Sequence, residues 1–171
     1  MAQNSDTRSI FVTGLKNAHA MENQALSIIK PQLSRIENYP EVAARLEQHL
    51  RETEQQISRL EELLDSLAED RSRLKDMALS VSGAMAAMGH TVAGDEILKN
   101  SFANFAFENF EIAAYKSLML IGEQGGFSGL VPTLRANLDE EIAMARWLED
   151  NLETVTLRFV SLREAGETAK I

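Results

Sequence analysis

Glutamates fall on or beside the apolar seams of helical segments at four separate places: Glu22, Glu52, Glu111 and Glu141. Glu22, Glu111 and Glu141 each take the place of a core residue, and Glu52 lies at the edge of its seam. Glutamate is rarely buried without a partner, and a buried unpaired charge is strongly destabilising. Four carboxylates converging on one interior would also repel each other. A bound cation relieves that repulsion, and two relieve it further. Two pairs reinforce the pattern, His49 with Glu52 and Glu108 with Glu111. A spacing of three puts both side chains on one helix face, where they can hold one ion or bridge two. Carboxylate oxygens with at most one imidazole suit iron or manganese rather than a thiolate-type zinc site. The expected ligands are Glu22, Glu52, Glu111 and Glu141, completed by Glu108 and His49. Two ions about 3.5–4 Å apart could share bridging carboxylates there.

Each residue alone has a plainer reading. A lone boundary glutamate snorkels to water, and a lone seam histidine is a hydrogen-bonded core residue. The argument rests on the combination, with a carboxylate from each long helix. At about 100° per residue, Glu141 is central on its helix and Glu140 points to the side, toward solvent. His19 and Tyr115 each lie one turn from a seam glutamate. Either could orient a ligand from outside, or serve as a boundary or core residue. Asn104 reads as a supporting polar group or as a residue near the bundle end.

Four long helices must position these groups. The first runs from Ser9 through Ile29, with Phe11, Leu15, Ala18, Glu22, Leu26 and Ile29 on one face. Pro31 is placed to kink or end it, with room for the helix to continue to about Glu37. The second spans Pro40 to Leu67, with Val42, Leu46, His49, Thr53, Ile57, Leu60 and Leu64 as its seam and Arg45 on a solvated outer face. A short helix over Ser72–Met88 follows, then a loop at Gly89–Gly94. The third, Glu96 to Ile121, is apolar on two faces and so needs cover on both. One face carries Glu108, Glu111 and Tyr115. The other carries Phe102, Phe105 and Leu120, to be covered by the Ser72–Met88 helix or another subunit. Gly122–Gly129 is a turn, since no Lys-Ser/Thr follows to make a phosphate loop. The fourth helix runs from Val131 to about Arg163, with Leu134, Leu138, Glu141, Ala145, Leu148 and Leu152 as its seam. The last residues, 165–171, look frayed.

The fold class is therefore all-α: a four-helix bundle with a short extra helix between the second and third long helices, in one domain over 1–171 with its core at about 9–163. Composition agrees. Among 171 residues there are 9 Gly and 3 Pro, and hydrophobic residues make up 44%, enough for one substantial core. The absence of cysteine excludes disulfides and thiolate ligands. A net charge of −9 argues against nucleic acid as a partner. The N-terminus has no apolar signal core, and the longest uncharged run is too weakly apolar to span a membrane. The expected location is the cytoplasm.

At these same residues the chain resembles the YciE/YciF-type ferritin-like proteins. Leu15-Lys16-Asn17 with Glu22-Asn23-Gln24 is similar to that family's first-helix segment. His49-Leu50-Arg51-Glu52-Thr53 resembles its His-Leu-x-Glu-Thr motif. Glu108-Asn109-Phe110-Glu111-Ile112-Ala113-Ala114-Tyr115 resembles Glu-His-Tyr-Glu-Ile-Ala-Ala-Tyr, and Leu138-Asp139-Glu140-Glu141 resembles Leu-Asp-Glu-Glu. Asn109 departs from the usual histidine, on the face opposite Glu111. On the second helix His49 precedes Glu52, the reverse of the superfamily's more usual Glu-x-x-His order. The resemblance covers about residues 9 to 155. It implies a ferritin-like bundle, a homodimer, an association with stress, and two iron or manganese ions used on dioxygen or peroxide or for ferrous oxidation. The rival reading is a non-catalytic structural or interaction bundle.

Overall fold

The computed structural model describes residues 2–67 and 94–171. Four long helices account for most of them: α1 Ala2–Leu33, α2 Pro40–Ser66, α3 Glu96–Gln124 and α4 Val131–Glu164. The expected helix over Ser72–Met88 and most of the loop after it lie outside the described residues. Among the described residues no helix is long and apolar enough to cross a membrane.

The helices close on one another because each buries a single stripe. On α1 the centre of that stripe is Phe11, Leu15, Ala18, Glu22, Ala25 and Ile29, flanked by buried Val12 and Met21, alternating steps of four and three as in a coiled-coil seam. Ala25 takes the place expected for Leu26, which is half-buried. On a straight helix a strict alternation drifts about 20° per heptad, and a left-handed supercoil takes up that drift.

End contacts set the directions. Arg8 Nη2 donates to the Leu67 carbonyl at 2.7 Å, so α1 begins where α2 ends. At the other end Arg35 reaches Glu96 at the start of α3. Arg158 of α4 lies over the Tyr39 ring before α2. Neighbouring helices thus run antiparallel, while α2 and α3 share a direction. The chain leaves α2 at one end of the bundle and enters α3 at the other, as in ferritin-like bundles with one long crossover.

Helix α1 passes through Pro31 and gains one more turn. Tertiary contacts hold that turn. Gln32 and Asn104 exchange two buried hydrogen bonds, 3.1 and 2.9 Å. Asn104 is thereby committed to the bundle end.

The first residues of the glycine-rich segment, Gly122 to Gln124, continue α3, and the turn begins at Gly125. Gly126 takes a φ of 81°, Phe127 N–H donates to the Gly122 carbonyl and Gly126 N–H to that of Glu123. This is the paired hydrogen bonding that ends helices at a left-handed residue. Gly166, with φ 73°, ends α4 in the same manner.

Residues beyond Gly166 were expected to fray, and the structure ties them down. Tyr39 Oη donates to the Ala169 carbonyl at 2.8 Å, and Ile97 N–H donates to the Lys170 carbonyl at 2.8 Å. Ala169 and Ile171 are buried. The tail supplies acceptors that the first turn of α3 lacks, a tertiary service that no local pattern announces.

Phe11 stacks on Phe127 with centroids 4.8 Å apart, directly beside Gly122. A Cβ at Gly122 would stand 2.9 Å from Phe11 Cε2. The ring is fully buried and cannot swing aside cheaply. Gly122→Ala is therefore expected to lose about 1–3 kcal/mol from overpacking, outweighing the ~1 kcal/mol that alanine gains in a helix. Urea denaturation of the variant should show the lower midpoint; a higher one would mean the ring yields freely.

Candidate metal centre

His49 of α2, Glu108 and Glu111 of α3 and Glu141 of α4 each offer a ligand atom, and these atoms lie within 4.8 Å of one another. All four side chains are buried. His49 Nε2 stands 3.3 Å from Glu108 Oε1 and 3.7 Å from Glu141 Oε2. Glu22 of α1, fully buried, closes the group electrostatically, since its charge bears on both Glu111 and Glu141. The group could hold a metal ion.

The hydrogen-bond inventory shows what this interior lacks. Glu22 Oε2, His49 Nε2, Glu108 Oε2, both oxygens of Glu111 and both of Glu141 are buried without a hydrogen-bond partner. Buried polar atoms in folded proteins are nearly always paired. Here seven such atoms belong to the four clustered side chains and to Glu22, which acts on them electrostatically. A cation is the natural partner for such a set, because six of the seven are carboxylate oxygens and the seventh is an imidazole nitrogen. The residues fit a metal ion.

Without a cation the group must hold protons instead. Burial pushes the Glu22 carboxyl up to about 8, against a Tyr115 hydrogen bond and His49, which pull it down. Burial, then repulsion from Glu22 and Glu108, raises Glu111 well above the ordinary range. Burial, then Glu111, does the same to Glu141. Burial alone would lower His49, but Glu108 and Glu52 more than offset it and lift the imidazole to about 9.

A polar chain leads outward from Glu22. Tyr115 Oη donates to Glu22 Oε1, and Asn137 Nδ2 donates to Tyr115 Oη at 2.9 Å. Arg59 Nη1 then donates to Asn137 Oδ1 at 3.0 Å and to Glu140 Oε2 at 2.7 Å. Gln56 also donates to Glu140, at 3.0 Å. Glu140 is thus turned to Arg59 while its neighbour Glu141 enters the buried group. Tyr115→Phe would leave Glu22 Oε1 without its donor. The expected cost in the metal-free protein is about 1–3 kcal/mol, the penalty for stranding a buried polar group. Chemical denaturation in chelator would measure it, and an unchanged midpoint would show that Glu22 does not need the hydroxyl.

Glu52, an expected ligand, lies outside the cluster of four, and so does His19, which was open between an orienting role and a boundary position. Glu52 is half-buried at the edge of the group, where Oε2 meets Arg45 Nη1 at 3.0 Å and His49 Nδ1 at 3.3 Å, and Oε1 accepts from Gln48 Nε2 at 2.7 Å. His19 faces Glu61 of α2, 3.3 Å away. The sequence reading put Arg45 on the solvated face of α2, but it is only 8% exposed. Glu52, seven residues on and so on the same face, provides its counter-charge. That i,i+7 register was the available signal. Asn137 and Gln56 were missed as well, because each is buried by a partner on another helix.

Fold and site together define a class: an all-α bundle whose interior gathers histidine and glutamate from four helices. The family described as Domain of unknown function (DUF892) matches residues 6–161, and this chain belongs to that family. Protein YciF of Escherichia coli K12 is 26% identical over 142 residues, which is 78% of this chain and 82% of that protein. A crystal structure of a protein from Xanthomonas campestris pv. campestris superposes with a TM-score of 0.78 at 29% identity, covering 93% of this chain and 99% of the other. The crystal structure of the E. coli stress protein YciF superposes with a TM-score of 0.72 at 23% identity, covering 85% and 94%. The likeness read from the four motifs and the likeness of the fold agree.

Proposed function

We propose that this chain is a ferritin-like, stress-associated metal-binding protein whose buried group holds two iron or manganese ions. The observation that carries the reading is that His49, Glu108, Glu111 and Glu141 bring ligand atoms within 4.8 Å of one another while each leaves buried atoms without a hydrogen-bond partner. His49, Glu108, Glu111 and Glu141 would hold the ions, with Glu22 facing them from α1. Ions of this kind supply redox chemistry toward dioxygen or peroxide when bound. The chain's own part is to keep that chemistry apart from water and to orient the ligands. Burial of all five side chains does the first, and the Tyr115–Asn137–Arg59 chain does the second for Glu22.

A second reading has one observation in its favour. Every described long helix contributes a residue to the group, so bound ions would staple the bundle even with no turnover. The test is elemental analysis of protein purified without tag or chelator, followed by oxygen and peroxide assays on the loaded form. About two equivalents of iron or manganese per chain together with turnover supports the first reading. The same metal without turnover supports the staple. A folded protein that binds neither metal after anaerobic reconstitution defeats both.

A further inference from the structure

Glu52 differs from every carboxylate in the buried group in one respect: both its oxygens are taken. Oε2 accepts from Arg45 Nη1 at 3.0 Å and lies 3.3 Å from His49 Nδ1, and Oε1 accepts from Gln48 Nε2 at 2.7 Å. His49 is the mirror case. Its Nδ1 faces Glu52, while its Nε2 has no hydrogen-bond partner and points at Glu108 and Glu141.

We propose that Glu52 is not a metal ligand but the positioning carboxylate of His49, held in place by Arg45 and Gln48. This rests on the metal-binding reading above. A neutral imidazole can give a metal only the nitrogen that carries no proton. By accepting the Nδ1 proton, Glu52 selects the tautomer that leaves the Nε2 lone pair aimed into the group, and it stops the ring from turning. Carboxylate–histidine–metal relays of this form raise ligand basicity and orient the ring.

The alternative, Glu52 swinging inward as a ligand, breaks its bonds to Arg45 and Gln48. It also leaves the guanidinium of Arg45, only 8% exposed, without its counter-charge beside a cation. That arrangement is strongly unfavourable, since it strands a buried charge next to a like one. Arg45 and Gln48 both line a groove of about 540 Å³ between α2 and α4, with Trp147 and Asn151 on its far wall. Glu52 therefore stands between this groove and His49, clamped from the groove side. Helix geometry is enough to build the relay, because positions 45, 48, 49 and 52 share one face of α2.

The test is a titration of chelator-treated protein with Mn2+, reading free Mn2+ by electron paramagnetic resonance, on wild type, Glu52→Ala and Glu52→Gln. The expected result is the same number of ions per chain in all three, with Kd raised about 10–100-fold in Glu52→Ala. Glu52→Gln falls between, because its amide oxygen still accepts the Nδ1 proton. Nitrogen NMR of the Zn2+-loaded proteins reads the ring directly: His49 carries its proton on Nδ1 in wild type and loses that preference in Glu52→Ala. A variant that binds fewer ions, or an unchanged Kd, overturns the assignment alone. No uptake by the wild type overturns the metal reading and this assignment with it.

Discussion

Glu111→Leu yields a bundle that is more stable without metal and no longer responds to metal. Both oxygens of Glu111 are buried without a geometric hydrogen-bond partner, and burial with repulsion from Glu22 and Glu108 raises its carboxyl, so in the metal-free state the polar side chain is a net cost to the fold. A leucine there fills similar space with no polar atom. Replacing buried charged groups by well-packed apolar ones is often stabilising by about 1–4 kcal/mol. Wild type, by contrast, should gain about 2.7 kcal/mol when free metal reaches a hundred times Kd, and the variant should gain none. Thermal unfolding of both proteins, in chelator and in excess Mn2+, gives all four numbers. A variant that unfolds well below wild type in chelator would show that Glu111 supports the fold directly. Such an outcome would remove the argument that the interior is built around a cation. A residue that costs stability and is useful only with a ligand bound is the pattern expected of functional sites.

Metal-free protein loses stability as pH rises from about 4.5 to 8. The sign follows from the direction of the shifts. Glu22 is raised from 4.5 to about 8 by burial, so the folded state holds its proton more tightly than the unfolded chain does. Its contribution is fully present below 4.5 and disappears as pH climbs through 8. Glu111 and Glu141, also raised by burial, act in the same sense. His49, raised from 6.5 to about 9, extends the loss further upward. Each such group removes ~1.4 kcal/mol per pH unit within its window. Glu52 works the other way. Burial would raise it, but His49, Gln48 and Arg45 bring it down to about 2. Its contribution is present above 4.5 and is lost as pH falls through 2. The metal-free protein should therefore be most stable near pH 4.5. Bound metal needs the ligands deprotonated, so saturating Mn2+ should flatten the alkaline limb and the two curves should diverge as pH rises. Urea midpoints across this range, with and without metal, make the comparison. A metal-free curve that rises toward pH 8 would show that the buried carboxyls are ionised and satisfied some other way.

Much of this was legible in the chain. Helical period alone determined the four long helices and put Glu22, His49, Glu111 and Glu141 on buried faces, because face follows from position at a fixed angle per residue. It likewise separated Glu141 from Glu140. Motif likeness pointed to the family. The pattern could not say which buried glutamates meet. That depends on the rotation of each helix against its neighbours and on rotamers chosen across interfaces, neither of which a one-helix period encodes. Glu52 shows the limit. Its position on α2 is right for the group, but Arg45, which the period assigned to solvent, is buried and claims it. Asn104 was open between site and bundle end until Gln32 on another helix paired with it. The anchored tail, held by Tyr39 and the start of α3, has no local signature either, since its partners lie far away in sequence. Amphipathic period settled the apolar seams and the central glutamates; tertiary packing decided which polar groups such as Arg45, Gln56 and Asn137 join them and which of them touch, because a buried polar group finds its partner wherever the fold brings one within reach.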